Sequence, residues 1–372
     1  MIKKICFFLM IAFLFQGCYV GRILLYQTAG IYDYKIFPNH VIKASSHPDS
    51  LPCSVFYNTK EYPASLFPML EQLKTTAYLV IKNDSVLFEK YWNEGGADVI
   101  SSSFSMSKSI VSLLVGFALQ DGYIKSVDQF VCEYLPNFED GCSKHLRVRD
   151  LLTMSSGIAW KENYINPFGQ TAKAYYGRHL YSQMMRLKIE QTPGYTFRYL
   201  SANTQLLGLL LEKATGKSLS QYAEEKLWQP LGAEHDALWS LDQKEGNEKA
   251  YCNFYATAHD FARIGIFCLH QGEWKSKPLL SKEYIKQSFT PAKNLTDRYG
   301  NSVDFYGYQW WMMTYKNMKI TMACGLYGQY IIMIPDKNLV IVRLGHRTSK
   351  EYKGHFNADV YSYIEAGLSI AE

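Results

Sequence analysis

Ser105-Met106-Ser107-Lys108 puts a hydroxyl and an amine one helical turn apart, and the fold is read outward from these four residues. A serine alcohol is a weak nucleophile until a neighbouring base takes its proton. A lysine three residues on shares its helix face and can take that proton if the amine is neutral. Ser105 is the only serine in the chain followed by lysine at this spacing. Ile110, Leu113, Leu114 and Phe117 then recur at helical period, and Asp121-Gly122 supplies a stop signal. Ser105 therefore opens a core helix, where free N–H groups and the helix dipole favour developing negative charge. A plainer account also fits the four residues alone: the serines from Ser101 to Ser105 provide an N-cap, and Lys108 is solvated.

The composition describes a globular protein, with 372 residues, 48% of them hydrophobic and 20% charged. The formal charge of +5 includes Lys3 and Lys4 of an N-terminal leader. What remains is too small to point to nucleic acid. There is no repeat and no low-complexity tract, and no CxxC or HxxxH spacing, so no metal and no cofactor are expected. Tyrosine is abundant, at 29 residues, so any single tyrosine carries little weight by itself.

Lys3-Lys4 precede an apolar run over residues 5–15, shorter than the roughly 20 residues a spanning helix needs. Phe15-Gln16-Gly17-Cys18 follows and resembles a bacterial lipobox, departing from it at Phe15 and Gln16. Residues 1–17 are read as a lipoprotein signal, and Cys18 as the lipidated first residue of an exported chain held to the envelope membrane. An uncleaved N-terminal anchor is the alternative; both place the body outside the cytoplasm. Cys132 and Cys142 are close enough in sequence to bridge a loop, but six cysteines in a large core are not a disulfide scaffold, and free thiols are the favoured reading.

Residues 19–64 lack a clear period and read as a tether and N-terminal wrap. A helix is predicted over residues 66–73, and a hairpin over 76–92 turning at Asn83-Asp84. The middle third is mainly helical, with helices over 146–152, 204–214 and 257–270, the last opened by Thr257 and Asp260 as a capping box. Strands are predicted at 308–312, 319–322, 329–334 and 339–344, then a closing helix over 356–368. Strands at both ends with helices between imply an α/β (α+β) fold: one antiparallel sheet built from both chain ends, with a helical region inserted.

Two further blocks bear on chemistry. Tyr199 follows Pro193-Gly194 and precedes an apolar helix; a tyrosine beside a lysine can shuttle the proton or hold the base neutral. Lowering a lysine pKa from about 10.4 toward neutrality takes roughly 4 kcal/mol of burial or positive charge. Gly325-Leu326-Tyr327-Gly328 lies between two predicted strands, where glycine lets backbone approach closely. An N–H there could join that of Ser105 as an oxyanion hole. Taken singly, an ordinary packing tyrosine and a glycine hairpin explain these segments as well.

Together, the blocks resemble the serine β-lactamase and penicillin-binding protein superfamily, nearest its class C-type branch of esterases, D-aminopeptidases and nylon-oligomer hydrolases. Ser105-Met106-Ser107-Lys108 matches Ser-x-x-Lys. Leu151-Leu152-Thr153-Met154-Ser155-Ser156-Gly157 resembles the "LLTMSSG" segment. Tyr199-Leu200-Ser201 resembles the Tyr-x-Asn block, and Gly325 falls where the Lys/His-Thr-Gly strand belongs. The resemblance implies a β-lactamase/DD-peptidase-like domain over 65–372, its sheet part about 65–100 and 300–372 and its helical part about 101–299. It implies an acyl-enzyme on Ser105, with Lys108 as base, Tyr199 as relay, and the N–H groups of Ser105 and Leu326, beside Gly325, holding the oxyanion. Ser201 stands in the Asn position and would orient Lys108 or contact the substrate amide. Ala323 stands where a cation would bind a substrate carboxylate, which favours a small or peptide-like ester or amide lacking that group. Arg343 or Arg347 could compensate. The rival readings are a D-Ala-type peptidase or β-lactamase, and an inactive lipid-anchored binding protein.

Three other patterns carry nothing. Gly216-Lys217-Ser218 lacks the glycine five residues earlier that a phosphate loop needs, and no Gly-x-Ser-x-Gly occurs. His259 and Asp260, adjacent on a predicted helix, do not face each other.

Overall fold

The computed structural model describes residues 19–372; Cys18 and residues 1–17, read from sequence as a lipoprotein signal, lie outside the described residues. Six strands build the central sheet: β1 (Thr75–Lys82), β2 (Ser85–Tyr91), β3 (Trp311–Tyr315), β4 (Met318–Gly325), β5 (Gln329–Ile334) and β6 (Leu339–Gly345). Their order is β2-β1-β6-β5-β4-β3, antiparallel throughout. The two ends of the chain meet where β1 pairs with β6, Val80 opposite Ile341. Both strands are buried along nearly their whole length rather than on alternate residues, because helices cover both faces. Helices α1 (Met106–Gln120), α2 (Ser201–Thr215) and α3 (Ala258–Leu269) belong to the larger core on one face; α4 (Asp359–Ala371) covers the other. A Cβ on Gly265 of α3 would lie 2.5 Å from the Val340 side chain, so glycine sets how closely that helix approaches β6.

Three elements start three residues away from where they were expected, each for a local reason. Strand β3 starts at Trp311, not Tyr308, because Gln309 turns the chain at φ 63°. Its buried side chain donates to the Leu151 and Leu152 carbonyls and accepts the Thr204 hydroxyl at 2.6 Å, while its carbonyl accepts from Ser109. Helix α2 begins at Ser201 rather than Thr204, its first N–H taken by the Glu162 carboxylate. Helix α4 starts at Asp359 because Phe356-Asn357 pairs in a short ribbon with Tyr352-Lys353. At α3, Thr257 caps as expected, but the Asp260 carboxylate takes the Thr257 hydroxyl and the Glu234 N–H instead of closing the box.

A second sheet escaped the sequence reading. Its strands are Asn39–Ile42, Ala237–Ser240, Phe254–Ala256 and Ser101–Ser102, in that spatial order. Each is four residues or fewer, too short for a periodic signal. This sheet ties part of the 19–64 segment to the body and holds the backbone leading into Ser105. Cys132 and Cys142 are disulfide-bonded, contrary to the free-thiol reading; the loop they close also plants Leu135 and Phe138 in the core. Among the described residues no helix is long and apolar enough to cross a membrane.

Candidate active site

Ser105 is the N-cap of α1, directly after Phe104, which is buried at φ 41°. A bulky residue with positive φ is strained, and the surroundings must hold it. Here the Phe104 N–H donates to the Ser102 hydroxyl and its carbonyl accepts from Ser103. The Ser105 N–H has no protein acceptor among the described residues, so it is free to meet a ligand.

Lys108 is 1% exposed. Its Nζ donates to Ser105 Oγ at 2.8 Å and to the Tyr251 carbonyl at 2.8 Å. Aromatic rings of Tyr199 and Tyr251 wall it in, at 5.2 and 5.6 Å from Nζ. Burial pushes the amine pKa down from 10.5 to about 8, against the upward pull of the Glu162 carboxylate. The plainer account, in which Lys108 is solvated, therefore fails. The Tyr199 hydroxyl interacts with the Ser105 side chain, and burial raises its pKa far above the ordinary phenol value. Of the two candidate bases, only Lys108 has a deprotonated form accessible near pH 7. The Tyr199 ring is set by Trp311, 5.3 Å away, and Tyr306.

Gly325 meets the backbone just ahead of the nucleophile directly: a Cβ there would lie 2.2 Å from the Ser103 carbonyl. That contact brings the end of β4 against the turn into Ser105. Leu326 follows, and Tyr327 adopts φ 63°. Ser105, Leu326 and Ser201 line one cleft. No charged side chain lines it, and six aromatics do: Phe104, Tyr164, Tyr175, Tyr176, Tyr251 and Tyr327.

Ser201 is not bonded to Lys108. Its hydroxyl donates to Glu162 at 2.7 Å, while its N–H donates to the other Glu162 oxygen. Asn203 does not replace the missing amide either, since its Nδ2 donates to Met154 Sδ. Arg343 does not compensate for Ala323: it is fully buried, and its guanidinium is spent on Thr75 and the Leu73, Tyr327 and Gly328 carbonyls. It holds the Tyr327 loop instead. Arg347 is exposed and outside the cleft. His259 pairs with Glu89 across the molecule at 2.5 Å, a structural contact.

Sequence reasoning missed Glu162 and Tyr251. Glu162 sits in a loop 39 residues from Ser201, and also accepts from Trp160 Nε1. Tyr251 meets Lys108 through its carbonyl, which any residue supplies, as well as its ring, and no sequence signal marks either contact. Among the described residues no group of three metal-ligating side chains occurs.

The Beta-lactamase family model matches residues 67–361. A 6-aminohexanoate-dimer hydrolase of Paenarthrobacter ureafaciens is 27% identical over 295 residues, covering 74% of this chain and 73% of that protein. Among solved structures, a Bacillus anthracis protein provisionally named 6-aminohexanoate-dimer hydrolase superposes with TM-score 0.79 at 20% identity, over 91% of this chain and 93% of its own. A penicillin-binding protein from Bacillus halodurans superposes with TM-score 0.62 at 17% identity, over 82% and 99%.

Proposed function

Because the chain belongs to the beta-lactamase family and is a serine hydrolase of esterase or amidase type, we propose that Ser105 forms an acyl-enzyme with a neutral ester or amide. The observation that carries this reading is the 2.8 Å contact between Ser105 Oγ and a buried amine of lowered pKa. Neutral Lys108 takes the Ser105 proton as Oγ attacks the carbonyl. The Ser105 and Leu326 N–H groups receive the oxyanion. Tyr199, protonated at all working pH, hands its proton to the leaving group and recovers one from Lys108. A water then attacks the acyl carbon, its proton returning through the same pair, and Ser105 is released.

The uncharged aromatic cleft and buried Ala323 favour a substrate without a carboxylate beside the scissile bond. A β-lactam or a D-Ala terminus brings that charge with no partner to meet it, and burying it unpaired is costly. The similarity to a 6-aminohexanoate-dimer hydrolase accords with a small linear amide as one substrate type. We further propose that Cys18 carries lipid and holds the enzyme to the outside of the cell envelope.

The test is chemical. A fluorophosphonate should label the purified protein at Ser105, located by mass spectrometry, and Ser105→Ala should take up none. Absence of a Ser105 adduct in the unmutated protein overturns the hydrolase mechanism. Turnover of p-nitrophenyl esters without turnover of nitrocefin separates the neutral-substrate reading from a β-lactamase.

A further inference from the structure

Two segments frame the mouth of the Ser105 cleft, and both expose large apolar side chains. The first is the helix Tyr19–Tyr26, with Leu24 68% and Leu25 58% exposed; the next residues, Gln27, Thr28 and Ala29, line the cleft. The second is the loop carrying Tyr164, Ile165 and Phe168, with Ile165 93% and Phe168 70% exposed. Tyr164 lines the cleft with its ring, and its hydroxyl reaches Glu162 and Ser201. That loop runs into the helix Gln170–Tyr176, whose Thr171, Ala172, Tyr175 and Tyr176 also line the cleft. The two helices pack together, and Arg22 donates to the Tyr176 carbonyl. Lys161 and Lys173, exposed, flank the apolar loop. A monomer in water gains nothing from gathering such residues at one opening.

What covers them follows from the chain itself. The helix Tyr19–Tyr26 starts one residue after Cys18 and four after the apolar run of residues 5–15. Whether lipid on Cys18 or the uncleaved run is the anchor, the bilayer surface is brought to this helix. We propose that this apolar rim seats on the bilayer, so that the Ser105 cleft opens at the membrane surface and takes an ester or amide of an amphiphile embedded there. Leu24, Leu25, Ile165 and Phe168 enter the interface, and Lys161 and Lys173 meet anionic headgroups. The substrate class rests on the hydrolase reading, and the seating on the N-terminal anchor proposed above.

The test uses the full lipidated chain in phosphatidylcholine/phosphatidylglycerol vesicles. Cys53, the one exposed free cysteine among the described residues, is first changed to serine. A nitroxide at Ile165→Cys should be more accessible to oxygen than to a water-soluble nickel chelate. One at Ser369→Cys, on the helix covering the opposite face of the sheet, should show the reverse. Water-like accessibility at 165, failure of the protein to bind the vesicles, or protection of 165 in a dimer without vesicles would each overturn the proposal. Ile165→Asp with Phe168→Asp should lower turnover of a vesicle-embedded long-chain ester at least tenfold and leave a short soluble ester within twofold. Equal loss on both overturns the proposed path of entry. A dead enzyme with a bilayer-like signal at 165 would indict the hydrolase reading alone.

Discussion

Lys108 determines when the Ser105 alcohol can react, because the residue is useful only as a free amine. With its pKa brought to about 8, roughly a tenth is neutral at pH 7. The rate constant kcat/KM should therefore climb with pH and level off above about 8. The same shift acts on stability. Below about pH 8 Lys108 is charged in both folded and unfolded chains, and the fold bears the cost of burying it. Between about 8 and 10.5 the unfolded chain keeps the proton and the fold does not, so this contribution rises with pH across that window. Lys108→Met removes the dependence and the activity together. Its stability relative to the unmutated protein should be greater at pH 7 than at pH 10.5, by on the order of 3 kcal/mol. Denaturant melts at the two pH values measure this; a constant difference would mean Lys108 is not buried as a titrating amine. The pair was legible in sequence because Ser105 and Lys108 lie on one helix, where spacing dictates proximity. Glu162 was not, since its partner Ser201 is joined to it only by the fold.

The elements show what motif spacing conveys and what it leaves out. Strand β4 and helix α1 were both placed from sequence, and Gly325 was read as a point of close approach. What it approaches, the Ser103 carbonyl, directly follows a two-residue strand, Ser101–Ser102, too short to predict. The contact tests whether β4 truly positions the oxyanion site. In Gly325→Ala the added methyl cannot coexist with the Ser103 carbonyl at 2.2 Å, so β4 and the Leu326 N–H must move away from Ser105. A displacement of this size at a reacting centre costs about 100-fold in rate. Fluorophosphonate labelling of Ser105 should slow by that order while far-ultraviolet circular dichroism stays unchanged. Labelling at the original rate would show that β4 does not support the oxyanion site. Ser201 teaches the opposite lesson. Motif alignment placed it beside Lys108, yet at the first position of α2 its hydroxyl and N–H both turn to the Glu162 carboxylate, as a helix N-terminus favours.

At the scale of the whole molecule, the sheet drawn from both chain ends was readable because its strands are long, apolar and separated by clear turns. The role of residues 19–64 was not, because apart from one short α-helix and one four-residue strand they make irregular backbone whose partners are remote. Ile31 accepts the Ser102 N–H at 2.8 Å, just ahead of the nucleophile. Asp33 accepts the Tyr175 hydroxyl at 2.7 Å and the Gly30 N–H at 3.0 Å. Through Tyr175, which lines the cleft, this wrap helps build the substrate wall without touching the dyad. Asp33→Ala leaves the Tyr175 hydroxyl without its acceptor, at a cost of about 1–3 kcal/mol in stability. With the Ser105–Lys108 contact intact, the loss should fall on substrate binding. KM for a soluble ester should rise several-fold with kcat nearly unchanged, and limited proteolysis should cut within residues 26–36 sooner than in the unmutated protein. Asp33→Asn, which keeps an acceptor for Tyr175, should recover most of the binding. If Asp33→Ala lowers kcat and leaves KM alone, the wrap acts on the dyad and the division of labour drawn from these contacts is wrong.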